Sequence, residues 1–222
     1  MATLYLVRHG QASFGADNYD QLSELGQRQA RRLGQYLRER GVVFEASITG
    51  TLMRQVQTHA GICEGLGQSL QALALPTLNE YDSHALIEAV HPQKLPRPDT
   101  PELYRQHFRL LRQALQAWVA GTLAPRGMPS FAQWSQGIRA ALDHVRQNHQ
   151  GSVLLVSSGG PIATAVAQVI EAAPNSWIEL NLRIRNASVT QFEFSPKRHS
   201  LLTYNTLPHL DGPAYADWVT YT

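Results

Sequence analysis

A few residues in this chain have the types and spacing to act on an oxyanion. Arg8 and His9 close a short apolar run, "TLYLV" (3–7), and Gly10 follows. Arg54 falls in the first turn of a helical pattern that follows a second apolar run, "ASIT" (46–49). Glu80 ends "LPTLNE" (75–80). "VLLVSSGGPIATAV" (153–166) passes from a buried-strand pattern through Ser157, Ser158, Gly159 and Gly160 into a helix-compatible stretch. A glycine turn opening a helix points backbone N–H groups outward and holds anions. Two arginines beside it complete an oxyanion pocket. A neutral histidine there is a nucleophile towards phosphorus, and a carboxylic acid such as Glu80 protonates a departing alkoxide. The charge of such a transfer spreads over three phosphoryl oxygens, which arginines stabilise. Gln11 and Ser13, just past the histidine, and His84, four residues after Glu80, are further candidates for the pocket wall or rim.

These residues need elements that bring them together. The run 22–40 has apolar residues at helical spacing (Leu25, Ala30, Leu33, Leu37) and Ser23 as its N-cap. A second helix spans 52–66, and 75–80 reads as a short strand or extended edge. Four prolines in 91–101 exclude a regular element there. Helices follow over 101–121 and 131–149, separated by "LAPRGMPS". The runs 188–195 and 199–205 read as a hairpin across Pro196-Lys197. Strands alternating with helices predict an α/β fold: a three-layer α/β/α sandwich, its sheet mostly parallel with an antiparallel edge strand. Residues 1–222 read as a single domain, with 91–130 as an insertion or lid over one end of the sheet. Ligands of open α/β sheets sit beyond the carboxyl ends of the strands, where Arg8, His9, Arg54, Glu80 and the Ser157–Gly160 turn converge.

With those residues quoted, a resemblance can be stated. "LYLVRHGQAS" resembles the N-terminal signature of the histidine phosphatase superfamily, the phosphoglycerate-mutase-like proteins. "LSELGQRQA" (22–30), "LMRQVQTHA" (52–60), "LNE" (78–80) and "VSSGGPI" (156–162) are similar to its further blocks, in the same order. The closing strands, "NASVTQFEF" and "LLTYNTLPHL", are similar too; 91–130 lies outside the likeness. The resemblance implies His9 as the phosphorylated nucleophile, Arg8 and Arg54 as clamps on the phosphoryl group, and Glu80 as proton donor. It also implies a second pocket histidine, and at that position this chain has Ser158. A serine hydroxyl is a neutral, shorter donor; losing one transition-state donor costs about 3–4 kcal/mol. Ser158 and Gly159 remain as phosphate-binding groups at a helix N-terminus, so the expectation is weakened turnover. Ser158 also reads as a plain helix cap.

The implied activity is a metal-independent phosphatase acting on a small phosphorylated substrate. A mutase and a non-catalytic phospho-ligand binder are the alternatives. Mutases of the family follow "LNE" with a Tyr-Gly-x-Leu-x-Gly-like stretch and carry a hydroxyl where this chain has Ala12; here the stretch is "YDSHALIEA".

Composition narrows the classes. The chain has 222 residues, 43% of them hydrophobic, and a formal net charge of +2. Its 19 basic residues include two lysines, Lys94 and Lys197. Five arginines lie in 28–40, on a face expected to meet water, and no basic stripe is interleaved with aromatics, so no nucleic-acid partner is expected. No apolar run reaches the ~20 residues of a membrane span. A single cysteine, Cys63, excludes an internal disulfide and reads as a small core residue; a cytoplasmic location follows as the expectation. Nine histidines without a His-x-x-x-His pair give no metal signature, and no cofactor is expected. Nothing indicates an oligomeric state.

Overall fold

The structure, a computed structural model, describes residues 2–13, 20–93, 95–96 and 100–221. Six strands form one sheet in the order β3-β2-β4-β1-β5-β6. β1 (Ala2–Arg8), β2 (Ala46–Thr49), β3 (Ala72–Ala74) and β4 (Val153–Ser157) are parallel. β5 (Val189–Phe194) runs antiparallel to β1, and β6 (His199–Thr206) returns antiparallel to β5. β4 lies between β2 and β1 and is buried along its whole length. That is why its sequence is a continuous apolar run.

Side chains alternate across the sheet and meet a helix layer on each face. Val153 and Leu155 of β4, with Leu4 and Leu6 of β1, pack on Ile138 and Leu142 of α5 (Phe131–Asn148) and Ile162 of α6 (Gly159–Val169). Leu154, Val156 and Val7 pack on Leu33 and Leu37 of α1 (Glu24–Glu39) and on Ile62 and Leu66 of α2 (Met53–Leu66). The architecture is thus the expected three-layer α/β/α sandwich. α1 and α2 touch backbone to backbone: a Cβ on Gly34 would lie 2.1 Å from the Ile62 carbonyl oxygen, and one on Gly65 2.1 Å from that of Arg31. Ser23 caps α1, its side chain accepting from the Gly26 N–H at 3.0 Å.

Three departures from the sequence reading matter. The run 75–80 is not a strand. β3 ends at Ala74, and Pro76, which has no N–H to offer a ladder, opens a 3-10 turn over Pro76–Leu78. Two helices carry no clear sequence period, α3 (Ser83–Val90) and α7 (Pro174–Leu182). With α4 (Pro101–Val119) they bury Leu86, Leu115, Trp118, Trp177 and Ile178 against Ala163 of α6, forming a helical roof at one side of the sandwich. Cys63 is half-buried on α2, its Sγ 3.5 Å from His59 Nε2, and does not sit in the core.

His209, on the 3-10 turn Pro208–Leu210, is 1% exposed. Neither ring nitrogen has a hydrogen-bond partner among the described residues. Burial, helped by the charge of Arg32, pushes its pKa down to about 3. Below the usual histidine range the unfolded chain takes a proton that the folded chain refuses. Stability is therefore full above roughly pH 6.5 and falls as pH drops towards the folded pKa. Between pH 6.5 and 5 this one site removes about 2 kcal/mol. His209→Leu should flatten the pH dependence of the denaturation midpoint over that interval; an unchanged slope would refute the assignment.

Candidate active site

The parallel register of β1 and β4 sets Arg8 opposite Ser157, and the His9 N–H donates to the Ser157 carbonyl at 2.9 Å. Both chains therefore leave the sheet side by side, one delivering His9 and the other Ser158. His9 is 3% exposed. Its Nδ1 lies 2.8 Å from the Gly10 carbonyl oxygen. A carbonyl only accepts, so Nδ1 carries the proton and Nε2 bears the lone pair. Nε2 receives the Nε–H of Arg54 at 3.3 Å. Burial above all, then the positive charges of Arg8 and Arg54, hold the His9 pKa well below the usual histidine range; the Gly10 carbonyl opposes them. The imidazole is neutral at physiological pH.

Arg54 stands in the first turn of α2 and is itself buried. Its Nη1 donates to Asp20 Oδ1 at 2.7 Å, and Asp20 Oδ2 accepts from the Met53 N–H at 2.8 Å. Arg8 is anchored differently: Nη1 donates to the carbonyls of Ile184 at 2.5 Å and Tyr221 at 2.9 Å. The His9 carbonyl accepts from Ala187 N–H at 3.1 Å and Asn186 Nδ2 at 3.3 Å.

Glu80 follows the 3-10 turn and lies against the N-terminus of α6. Both of its carboxylate oxygens are 3.1 Å from the Gly160 N–H. Burial raises its pKa, while the Gly160 N–H, Arg54, Arg8 and the Tyr81 N–H pull it back. The next residue, Tyr81, holds the segment in place. Its ring sits among Trp118, Trp134 and Trp177 at centroid distances of 5.9, 6.0 and 6.2 Å, and its hydroxyl accepts from Asn181 Nδ2 at 2.7 Å.

Ser158 is fully buried at the N-cap of α6, yet its side chain makes no capping bond. It accepts instead from Gln55 Nε2 at 2.8 Å. That bond uses a hydroxyl lone pair and leaves the O–H proton for another acceptor. Gln55 Nε2 also donates to the Leu78 carbonyl at 3.0 Å, which the Ser157 hydroxyl reaches at 2.7 Å. One glutamine and two serines thus tie the β4–α6 turn to the segment that carries Glu80.

Arg8, Glu80 and Gly159 line a cavity of about 340 Å³ together with Tyr81, Asn181 and Tyr221. His9, Arg54 and Ser158, all buried, are not among its lining residues, and the candidates for its wall or rim are elsewhere. Gln11 is drawn towards α1: its Oε1 accepts from the Ser23 hydroxyl at 2.8 Å and its N–H donates to Gln29 Oε1 at 2.8 Å. Ser13 pairs through its N–H with the Gln21 carbonyl at 2.7 Å, and neither residue lines the cavity. His84 is exposed in the first turn of α3, on the wall of a second cavity. Sequence reasoning missed Asp20, Gln55, Asn181 and Asn186. Each acts through a bond to a residue distant in the chain, and no local pattern marks such a partner. Among the described residues no group of three or more His, Cys, Asp or Glu is placed to hold a metal ion. None of the described helices is long and apolar enough to cross a membrane.

Comparison with known proteins gives the geometry a context. A model of the histidine phosphatase superfamily (branch 1) matches residues 4–207. The chain is 31% identical over 225 residues to a Klebsiella pneumoniae protein described as "Probable phosphoglycerate mutase GpmB", the match covering 96% of this chain and 97% of that one. A Yersinia enterocolitica protein of the same description is 29% identical over 230 residues, with the same coverage. Among solved structures, phosphoserine phosphatase of Entamoeba histolytica in complex with 3-phosphoglyceric acid superposes with a TM-score of 0.67 at 19% identity, covering 95% of this chain and 100% of that one. The mycobacterial glucosyl-3-phosphoglycerate phosphatase gives 0.65 at 24% identity, covering 92% and 98%. Both likenesses concern the fold.

The contact between Glu80 and α6 leaves no room at Gly160. A Cβ there would lie 2.2 Å from Glu80 Oε1 and 2.8 Å from the Tyr81 ring. Gly160→Ala must therefore displace the carboxylate, and overpacking of this kind costs roughly 1–3 kcal/mol. Thermal denaturation should show a clear fall in midpoint; a variant as stable as the parent would mean that the Glu80 seat is looser than described.

Proposed function

The chain belongs to the histidine phosphatase superfamily, and on that premise we propose that it is a metal-independent phosphomonoesterase working through a phosphohistidine at His9. The observation that carries this reading is the state of His9: a buried neutral ring with Nδ1–H fixed on Gly10 and the Nε2 lone pair facing Arg54. Nε2 attacks phosphorus. As the P–O bond to the alcohol breaks, the Glu80 carboxyl passes its proton to the leaving oxygen. Arg8, Arg54, the Ser158 hydroxyl and the Gly159 N–H take the charge on the phosphoryl oxygens. Water then attacks the phosphohistidine, Glu80 accepts the water's proton, and the N–P bond breaks to return neutral His9 and free phosphate.

Burial raises the pKa of Glu80 above the usual carboxylate value, the direction that an acid role requires. We read the segment 91–130, which brings His107, Phe108 and Leu111 to the cavity wall, as an insertion covering the site within a single domain. The substrate is a small phosphorylated molecule met in the cytoplasm. Phosphoserine and 3-phosphoglycerate, bound by the Entamoeba protein, are the simplest of that class. A mutase reading is favoured by the description of the bacterial relatives. Product analysis on 3-phosphoglycerate and on an aryl phosphate decides: free phosphate from either supports the phosphatase, and isomerised 3-phosphoglycerate without phosphate overturns it.

The acid role has its own test. Glu80→Gln should lower kcat/KM, which reports the phosphorylation step, on alkyl phosphates by about 10²–10⁴-fold. It should lower kcat/KM far less on 4-nitrophenyl phosphate, whose leaving group departs as a stable anion. In the parent, kcat/KM rises as pH climbs through the depressed pKa of His9 and falls as it climbs through the raised pKa of Glu80. Glu80→Gln should abolish the alkaline fall alone. Equal losses on both substrates would remove Glu80 from the mechanism. Phosphate release by His9→Ala at the parent rate would remove His9. Ser158→His should release phosphate faster than the parent, since it restores a charged donor; an equal rate would refute the weakened-donor account.

A further inference from the structure

The cavity that holds Arg8, Glu80 and Gly159 does not stand alone. A second one, about 620 Å³, lies along α3 and the chain that follows it. The two cavities share Ser83 and His107 as wall residues, so the second opens where the first ends. With a phosphoryl group on the arginine side, the alcohol of a phosphomonoester has one roomy direction to go, past Ser83 and His107.

The described wall of the second cavity says what it would accept. It is apolar at Ile87, Leu95 and Pro96, carries the imidazoles of His84 and His91, and has one formally charged side chain, Glu88. No arginine is among the described residues that line it. Burial lowers the pKa of the His107 ring at the junction, disfavouring its cation. A carboxylate carried in by a short hydroxy-acid phosphate would meet the like charge of Glu88 and no cation among the described residues of this wall. A flat uncharged ring meets proline and imidazole faces instead. The volume suits a group of that size, since small-molecule sites run to roughly 300–1,000 Å³.

We propose that this second cavity is the leaving-group subsite and that the substrate is a phosphomonoester of a bulky, uncharged, ring-bearing alcohol. The assignment rests on the phosphomonoesterase reading of the adjoining site. It gives His84 a place in recognition and none in the chemistry. It makes Ser83 and His107, from two different helices, the residues that determine which alcohols pass.

Binding separates this assignment from turnover. In the His9→Ala protein, which cannot be phosphorylated at His9, calorimetry should find 2-naphthyl phosphate bound at least tenfold more tightly than phosphoserine. Ser83→Trp in that background should erase the difference by closing the junction. His107→Trp, made on a different helix, should do the same and guards against a folding defect in the first. Equal affinities for the two esters, or a difference that survives both tryptophans, would overturn the subsite. Preferential binding retained in His9→Ala, with no phosphate released by the unsubstituted protein, would overturn the phosphomonoesterase reading and leave the cavity assignment standing.

Discussion

The bond from His9 to the next carbonyl in the chain decides what the site is able to do. Nδ1 reaches the Gly10 oxygen at 2.8 Å, and Nε2 is left as the basic atom of the ring. That geometry persists because Gly10 is gripped from both sides. A Cβ on it would lie 2.5 Å from the Gly26 carbonyl oxygen of α1, and its N–H donates to Thr58 Oγ1 of α2 at 3.0 Å. Thr58 also donates to the Arg54 carbonyl at 2.7 Å, one helical turn back, so the residue that clamps Gly10 shares a helix face with the arginine that reaches Nε2. β1, α1 and α2 meet at this glycine. The backbone contact of α1 with α2 at Gly34 and Gly65 holds that junction closed.

Burial moves the pKa values of the two titratable groups in opposite senses. It disfavours the cation of His9 and the anion of Glu80 alike, so both tend to be neutral. Arg8 and Arg54 then divide them. Their charges add to burial at His9, driving its pKa further down, and oppose burial at Glu80. A neutral ring beside a carboxyl group biased towards its protonated form is the pairing that the proposed attack and alkoxide departure would require together. The α6 N-terminus moderates the acid through Gly160 without abolishing the rise.

Elements that bury a continuous or periodic apolar face were legible in the sequence. β4 betrayed itself by an unbroken apolar run, α1 by its spacing and Ser23 cap, and the closing hairpin by its two extended runs. The placement of Arg8, His9 and Arg54 at the rim of the sheet was legible because Arg8 ends β1, His9 follows it and Arg54 stands in the first turn of the helix after β2. β3 was placed too late because its three residues carry too little pattern to outweigh the run after it. α3 and α7 are eight and nine residues long, barely two turns, and bury themselves in an aromatic roof assembled from distant segments. The supporting polar groups were not legible at all. Gln55 meets Ser158 across 103 residues and Asp20 meets Arg54 across 34. Gln11 misled because proximity to the nucleophile in sequence says nothing of the face its side chain takes.

The same long-range bonds bear on the serine at the α6 cap. A histidine in that place would bring its own charge; Ser158 brings a hydroxyl whose direction is set by Gln55, which also grips the Leu78 carbonyl. Accepting from an amide N–H polarises the hydroxyl as a donor, an effect that low local dielectric strengthens. The donor is neutral but fixed. The rest of the site moves in the same direction, since Arg54 shares its charge with Asp20 at 2.7 Å and Arg8 spends Nη1 on two carbonyls. A phosphoryl group held by this constellation meets less net positive charge than two unopposed arginines and a protonated histidine would supply. On the proposed mechanism, weaker capture of the phosphate product would accompany weaker transition-state capture, so slower chemistry and easier product release would both follow from one electrostatic arrangement.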